Sequence, residues 1–183
     1  MTGAGPPARS PSPGEPPAVS VVLPTYNERD GIAELVEEIL AVGRAAGLAL
    51  EVVVVDDDSP DGTAEHLRHV LGADPAVRVC VRRGERGLAS AIRYGLGEAR
   101  GRTLVVMDSD GNHDPAQVPL INELFTPTAE EIGLAQELVQ LFAHNPGAGV
   151  LAHRGQMVDR AHLVRAERIL ARATSAGRSA TPD

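Results

Sequence analysis

Asp108 and Asp110 stand two residues apart, directly after the apolar run Leu104-Val105-Val106-Met107. Two carboxylates at that spacing past a strand end can hold one hard divalent cation, which prefers oxygen donors. Such a cation can bridge a diphosphate and act as a Lewis acid for a departing phosphate group. The plainer alternative is a pair of solvated turn acids. His113 is close enough in sequence to touch a metal site there, or to be an ordinary loop residue. A second acidic group, Asp56-Asp57-Asp58, follows Val52-Val53-Val54-Val55, and a third polar cluster, Tyr26-Asn27-Glu28, follows Val19 to Leu23. Tyr26 offers an aromatic face, and Glu28 and Asp57 offer acceptors for hydroxyl or ring N–H groups. As structural residues, the same acids would cap helices and shape turns. Arg82, Arg83 and Arg86 form a local basic patch able to face a phosphate.

These groups need elements to position them. Val19 to Leu23 reads as a buried strand closed by Pro24. Ile32 to Ala46 repeats apolar residues at helical spacing, with Gly43 and Gly47 weakening and ending the helix. Glu51 to Val55 reads as a second strand, Thr63 to Leu71 as a helix, Val77 to Val81 as a third strand, Gly87 to Ala99 as a helix, and Leu104 to Met107 as a fourth strand. Apolar strands alternating with helices imply an α/β fold, a parallel sheet covered on both faces. Ligands of such sheets bind beyond the carboxyl ends of the strands. That places Tyr26, Glu28, Asp57, Asp108 and Asp110 on one rim.

The 183 residues carry a formal net charge of −8. This argues against a general nucleic-acid partner, which needs a basic face, and against an anionic membrane as the main anchor. Aromatic residues make up 2% of the chain, so Val, Leu, Ile and Ala must build the core. The single cysteine, Cys80, excludes an intrachain disulfide and a multi-cysteine zinc site; it reads as a small core residue. No apolar stretch reaches the roughly 20 residues of a membrane span. Residues 1–18, rich in Pro, Gly, Ser and Ala, read as a disordered leader without a signal-peptide core, and 175–183 as a disordered tail.

Three segments carry a resemblance when taken in order: Val22-Leu23-Pro24-Thr25-Tyr26-Asn27-Glu28, then Val54-Val55-Asp56-Asp57-Asp58-Ser59-Pro60-Asp61-Gly62-Thr63, then Val106-Met107-Asp108-Ser109-Asp110, with Gly87-Leu88-Ala89 before the last. Together they resemble family 2 glycosyltransferases, most closely the polyprenyl (dolichyl) phosphate mannosyltransferases, to which the Ser-Pro-Asp-Gly-Thr run points. The resemblance implies a Rossmann-like GT-A nucleotide-sugar-binding half over residues 19–114. It implies that Pro24, Tyr26 and Glu28 line the nucleotide, Val55 contacts the base edge, and Asp57 hydrogen-bonds the base. Asp108 and Asp110 would hold Mg²⁺ or Mn²⁺, and Ser109 would contact the donor. The implied donor is a nucleotide sugar, GDP-mannose favoured, and the implied acceptor is a polyprenyl phosphate at a membrane surface, for a protein of the cytoplasm or its membrane periphery. Asp58 stands where many relatives carry Gly or Asn, and Gly111 where they tend to carry an apolar residue. The sequence assigns no catalytic base and no oligomeric state.

The character of the chain changes after Pro115. Val118 to Phe125 reads as a helix, Thr128 and Glu131 as the capping box of another through about Ala143, Val150 to Ala152 as a short strand, and Arg160 to Ala173 as a charged amphipathic helix. Segments such as Ile121-Asn122-Glu123-Leu124-Phe125-Thr126-Pro127-Thr128 and Gly155-Gln156-Met157-Val158-Asp159-Arg160 are similar to the C-terminal end of the citrate lyase beta-subunit and malyl-CoA lyase family. There, the acid matching Asp159 can reach a neighbouring subunit's active site. The expected organisation is therefore a donor-binding domain over 19–114 joined near His113 to Pro115 to a helical segment over 115–174. The functional readings are a glycosyltransferase-like protein, an inactive truncated or fused fragment, and an acyl-CoA lyase-like protein.

Overall fold

The computed structural model describes residues 16–175. Its elements run β1 (Val19–Thr25), α1 (Ile32–Ala45), β2 (Leu50–Asp56), α2 (Thr63–Leu71), β3 (Val77–Val81), α3 (Leu88–Glu98), β4 (Thr103–Val106), α4 (Gln117–Phe125), α5 (Ala129–His144), β5 (Val150–His153), β6 (Gln156–Asp159) and α6 (Arg160–Ser175). The described residues fall into two compact units divided between Glu123 and Leu124, nine residues beyond the expected boundary after residue 114. No helix among them is long and apolar enough to cross a membrane. The leader and tail expectations lie largely outside the described residues. Ala18, however, is buried, and its N–H donates to the Ala49 carbonyl at 2.7 Å, so order begins before β1.

In the first unit, four strands form a sheet in the order β3-β2-β1-β4. Every pairing is parallel. The valine-rich β1 and β2 are buried on both faces, as interior strands of a covered parallel sheet must be. On one face, Val19, Val21, Leu23, Val52 and Val54 pack against Ile32, Val36 and Ile39 of α1 and Leu67 of α2. On the other, Val22, Val53 and Val55 pack against Ala91 of α3. Gly95 lets α3 come this close: a Cβ there would lie 2.9 Å from Val55 Cγ2 and closer still to Val22 Cγ1.

The chain builds outward from β1 to β3 and then crosses back to place β4 on the other side of β1. The carboxyl ends of β1 and β4 therefore flank a topological switch point, where connections diverge and leave a crevice.

Pro24 does not close β1, contrary to the sequence expectation; the strand continues to Thr25. The reason is which neighbour each residue faces. Residues alternate in bonding to one side or the other of a parallel sheet, and the Val22 carbonyl accepts from Met107 N–H on the β4 side. Pro24 faces the same way, but β4 pairing has stopped at Val22 and Val106. No partner strand asks residue 24 for a donor, so its missing N–H costs nothing.

In the second unit, Thr128 and Glu131 form the expected capping box at the head of α5. Residues 156–159, read in sequence as part of a tail-like segment, form a second short strand. β5 and β6 make an antiparallel hairpin, turned by Arg154 at φ 48° and Gly155 at φ 78°, the positive-φ pair that suits a two-residue turn. Arg154 Nη2 pairs with Glu137 of α5 at 2.6 Å. Asp159 caps α6: its Oδ1 accepts from the N–H groups of Ala161 at 2.9 Å and His162 at 3.2 Å.

Candidate functional site

Two loops on the rim are clasped together. The Asp56 carboxylate accepts from Ser59 N–H at 3.1 Å and from the Ser59 hydroxyl, and Ser59 Oγ in turn accepts from Asn27 N–H at 2.9 Å. Asp61 Oδ1 accepts from Thr63 N–H at 2.9 Å and its Oδ2 from Arg29 N–H at 3.2 Å. Thr63 Oγ1 accepts from Glu28 N–H at 3.1 Å. Burial pushes the Asp61 carboxyl up, but the Thr63 and Arg29 donors outweigh it and hold the group below the ordinary aspartate range. The run from Asp56 to Thr63 is thus the clasp that fixes the loop carrying Tyr26. Asp58 sits at φ 56°, which explains why Gly or Asn suits that position.

Asp57 is buried at the end of β2 with both oxygens engaged. Oδ1 accepts from Arg82 Nε at 2.7 Å and Oδ2 from Gly87 N–H at 2.9 Å. Arg82, also buried, donates to the Ser90 hydroxyl at 3.0 Å. One carboxylate therefore ties together β2, the residue after β3, and Gly87 at the head of α3.

A cleft of about 250 Å³ lies above this knot, lined by Pro24, Thr25, Tyr26, Asp57, Arg86, Gly87, Leu88 and Ala91. It is apolar on the α3 side, with an aromatic ring and charged groups converging on it, the usual build of a small-molecule site. The Arg86 guanidinium lies over the Tyr26 ring, 4.8 Å from its centroid.

Of the residues singled out in the sequence, Pro24, Tyr26 and Asp57 meet in this cleft. Glu28 stands on the clasped loop, where its carbonyl accepts from Ile32 N–H at 3.1 Å to begin α1. Val55 is wholly buried beneath Gly95 of α3, so its side chain faces the core rather than the cleft. Arg82 and Arg86 were legible only as a basic patch; that one is buried against Asp57 and the other stacked on Tyr26 needed the fold.

Asp108, Ser109 and Asp110 follow β4 on the far side of the switch point. Ser109 Oγ donates to the Pro24 carbonyl at 3.1 Å, filling with a side chain the position where the sheet ladder has stopped. Asp108 and Asp110 are exposed. Asp108 N–H donates to His113 Nδ1 at 3.1 Å. Asp110 accepts from Asn112, backbone at 3.0 Å and side chain at 2.6 Å. Among the described residues no group of three or more His, Cys, Asp or Glu is arranged to hold a metal. A cation of the Mg²⁺ type is commonly bound by one or two carboxylates and keeps its other positions for water and substrate phosphates; Asp108 and Asp110 are the exposed carboxylates that the loop after β4 offers.

The family model described as "Glycosyl transferase family 2" matches residues 20–155, well over half of the chain. The chain belongs to that family. The match runs across the expected join near His113 to Pro115. Curated relatives in the family include the dolichol-phosphate mannosyltransferases of Pyrococcus furiosus, 46% identical over 105 residues covering 57% of this chain and 29% of that protein, and of Saccharomyces cerevisiae, 35% identical over 133 residues covering 72% and 46%. The chain therefore spans less than half the length of these relatives. Among solved structures, mannosyl-3-phosphoglycerate synthase from Rubrobacter xylanophilus superposes with a TM-score of 0.50 at 26% identity, over 59% of this chain and 36% of that one. The family 2 assignment accounts for the parallel sheet with helices on both faces, a GT-A-like architecture.

Proposed function

We propose that this family 2 chain binds a nucleotide sugar, with GDP-mannose the favoured donor and a divalent cation, Mg²⁺ or Mn²⁺, held by Asp108 and Asp110. The observation that carries this reading is the Ser109 bond to the Pro24 carbonyl, which fastens the acid-pair loop to the strand that leads into Tyr26. A base seated near Tyr26 and Asp57 would then leave its diphosphate within reach of the acid pair. The Tyr26 face and the apolar wall of Leu88 and Ala91 suit a planar base. A cation bound at the pair would supply Lewis-acid neutralisation of the departing diphosphate. The chain's own part is to orient the base, present carboxylates, and anchor the site through the Asp57–Arg82 pair.

The proposed reaction is inverting transfer to a polyprenyl phosphate: an acceptor phosphate oxygen bonds to the anomeric carbon as the bond from that carbon to the diphosphate breaks. The acceptor class is supported by the names of the curated relatives. Calorimetric titration of GDP with Mn²⁺ tests the binding claim. Binding is expected for the wild type, with a loss of more than about tenfold in Asp108→Ala, the order seen when a charge-assisted contact is removed. No heat with the wild type, or equal heat with the variant, would sink it.

A further inference from the structure

The loop from Arg82 to Gly87 has two fixed feet and an exposed tip, whose Glu85 and Arg83 make only long ion pairs, to Arg82 at 3.6 Å and to Asp58 at 3.8 Å. Arg82 is held by Asp57 Oδ1 at 2.7 Å and Gly87 N–H by Asp57 Oδ2 at 2.9 Å. Between them Arg86 is exposed and flanked by Gly84 at φ 80° and Gly87 at φ 130°. A Cβ on Gly84 would meet nothing within 4 Å. The tip is thus hinged on two glycines in a backbone region that other residues rarely adopt.

The Arg86 guanidinium lies 4.8 Å from the centroid of the Tyr26 ring, and both residues line the same cleft. A cation sits over a ring face within about 6 Å of the centroid, and aromatic rings pack with centroids about 4.5–7 Å apart. The guanidinium therefore occupies the layer above Tyr26 that a stacked base would take. Base and guanidinium cannot share that layer; one must leave.

We propose that Arg86 is a displaceable gate on the Tyr26 platform, a positioning residue that sets the cost of base entry. This rests on the reading of the cleft as a nucleotide-binding site. In the empty cleft the cation covers the ring. On entry the base takes the ring face and the hinged tip carries Arg86 aside, while the Asp57 anchor stays in place. The gate imposes a fixed penalty on every base, equal to the cation–π contact given up.

The test uses guanosine, which lacks the phosphates that a displaced arginine might itself attract, with GDP as the reference ligand. Dissociation constants are measured by calorimetry on the whole chain. Arg86→Ala is expected to bind guanosine about 2- to 5-fold more tightly than the wild type, the range for an exposed cation–π contact. Arg83→Ala, which removes the same charge from an exposed neighbour on the loop, is expected to leave guanosine affinity unchanged. A merely structural role for Arg86 would weaken binding, never tighten it. Unchanged or weaker guanosine binding in Arg86→Ala, or equal tightening in Arg83→Ala, overturns the gate while GDP binding by the wild type keeps the cleft reading intact. A wild type that takes up neither ligand overturns the cleft reading itself, and the gate with it.

Discussion

Glu51 offers the sharpest test of what holds the sheet together. It sits at the start of β2, its side chain 3% exposed, at the edge of the sheet opposite the candidate site. Its Oε1 accepts from the Ser20 hydroxyl at 2.6 Å and from Arg100 N–H at 2.7 Å. Its Oε2 meets Arg100 Nε at 3.2 Å. Ser20 Oγ in turn accepts from Gly101 N–H at 2.7 Å, so one carboxylate organises the entries to β1, β2 and β4. Glu51→Gln keeps the shape and the Oε1 bonds but makes them neutral, and it sets an amide N–H₂ against the Arg100 guanidinium. Two charge-assisted bonds falling to neutral strength, with one donor left facing a donor, cost about 2–3 kcal/mol. The Arg100 side chain is 59% exposed, so its ion-pair share is small. The chain has no tryptophan, so urea unfolding is followed by far-UV circular dichroism. With a slope of about 1–3 kcal/mol per M, the midpoint falls by about 1 M at pH 7. Burial pushes the Glu51 carboxyl up, but the Ser20 and Arg100 donors and the Arg100 charge outweigh it and hold the group below its ordinary value of 4.5. A depressed folded value means the ionised form stabilises the fold above the unfolded value, and that stability is lost as pH falls through the folded one. The gap between wild type and Glu51→Gln is therefore full at pH 7 and closes below pH 4.5. Equal stability at pH 7, or a gap that stays undiminished in acid, would refute the reasoning.

Gly95→Ala is expected to destabilise the fold by about 1–3 kcal/mol through overpacking, offset by about 1 kcal/mol of helix propensity; the new methyl would press on Val22 and Val55. Because α3 begins beside Gly87, the same variant should weaken GDP binding, and calorimetry showing wild-type affinity would mean that α3 does not set the cleft. Thr128→Ala removes the hydroxyl that accepts from Glu131 N–H at 3.2 Å and should cost the second unit about 1 kcal/mol, read as a lower unfolding midpoint. Thr128→Ser should restore it.

Where apolar patterning was continuous, the sequence read well. Thr63 to Leu71 and Val77 to Val81 form the elements that their patterning predicts. Pro24 was misread because the rule that proline ends a strand ignores which neighbour the residue faces, a fact set by sheet order. The strand at Gln156–Asp159 was missed because only Val158 in it is buried, so a four-residue segment carries almost no alternation. The rim residues were legible as polar clusters after strands. Their partners were not: the Asp57–Arg82 bond spans 25 residues and the Ser109–Pro24 bond 85. Pairings at such separations follow from topology, which no local pattern encodes.

Pro24 has one more consequence, for folding fidelity. Val22 and Val106 form the last rung between β1 and β4, and the next would need an N–H from residue 24. A β4 that slid two residues along β1, toward its carboxyl end, would keep every side chain on its proper face. Alternation alone would not reject it. It would, however, set a carbonyl against the proline ring and leave that carbonyl unpaired in a buried position, a cost of about 1–3 kcal/mol. Proline at this position therefore disfavours a slipped register between β1 and the edge strand β4, and the residue that lines the cleft also helps to select the sheet on which the cleft is built.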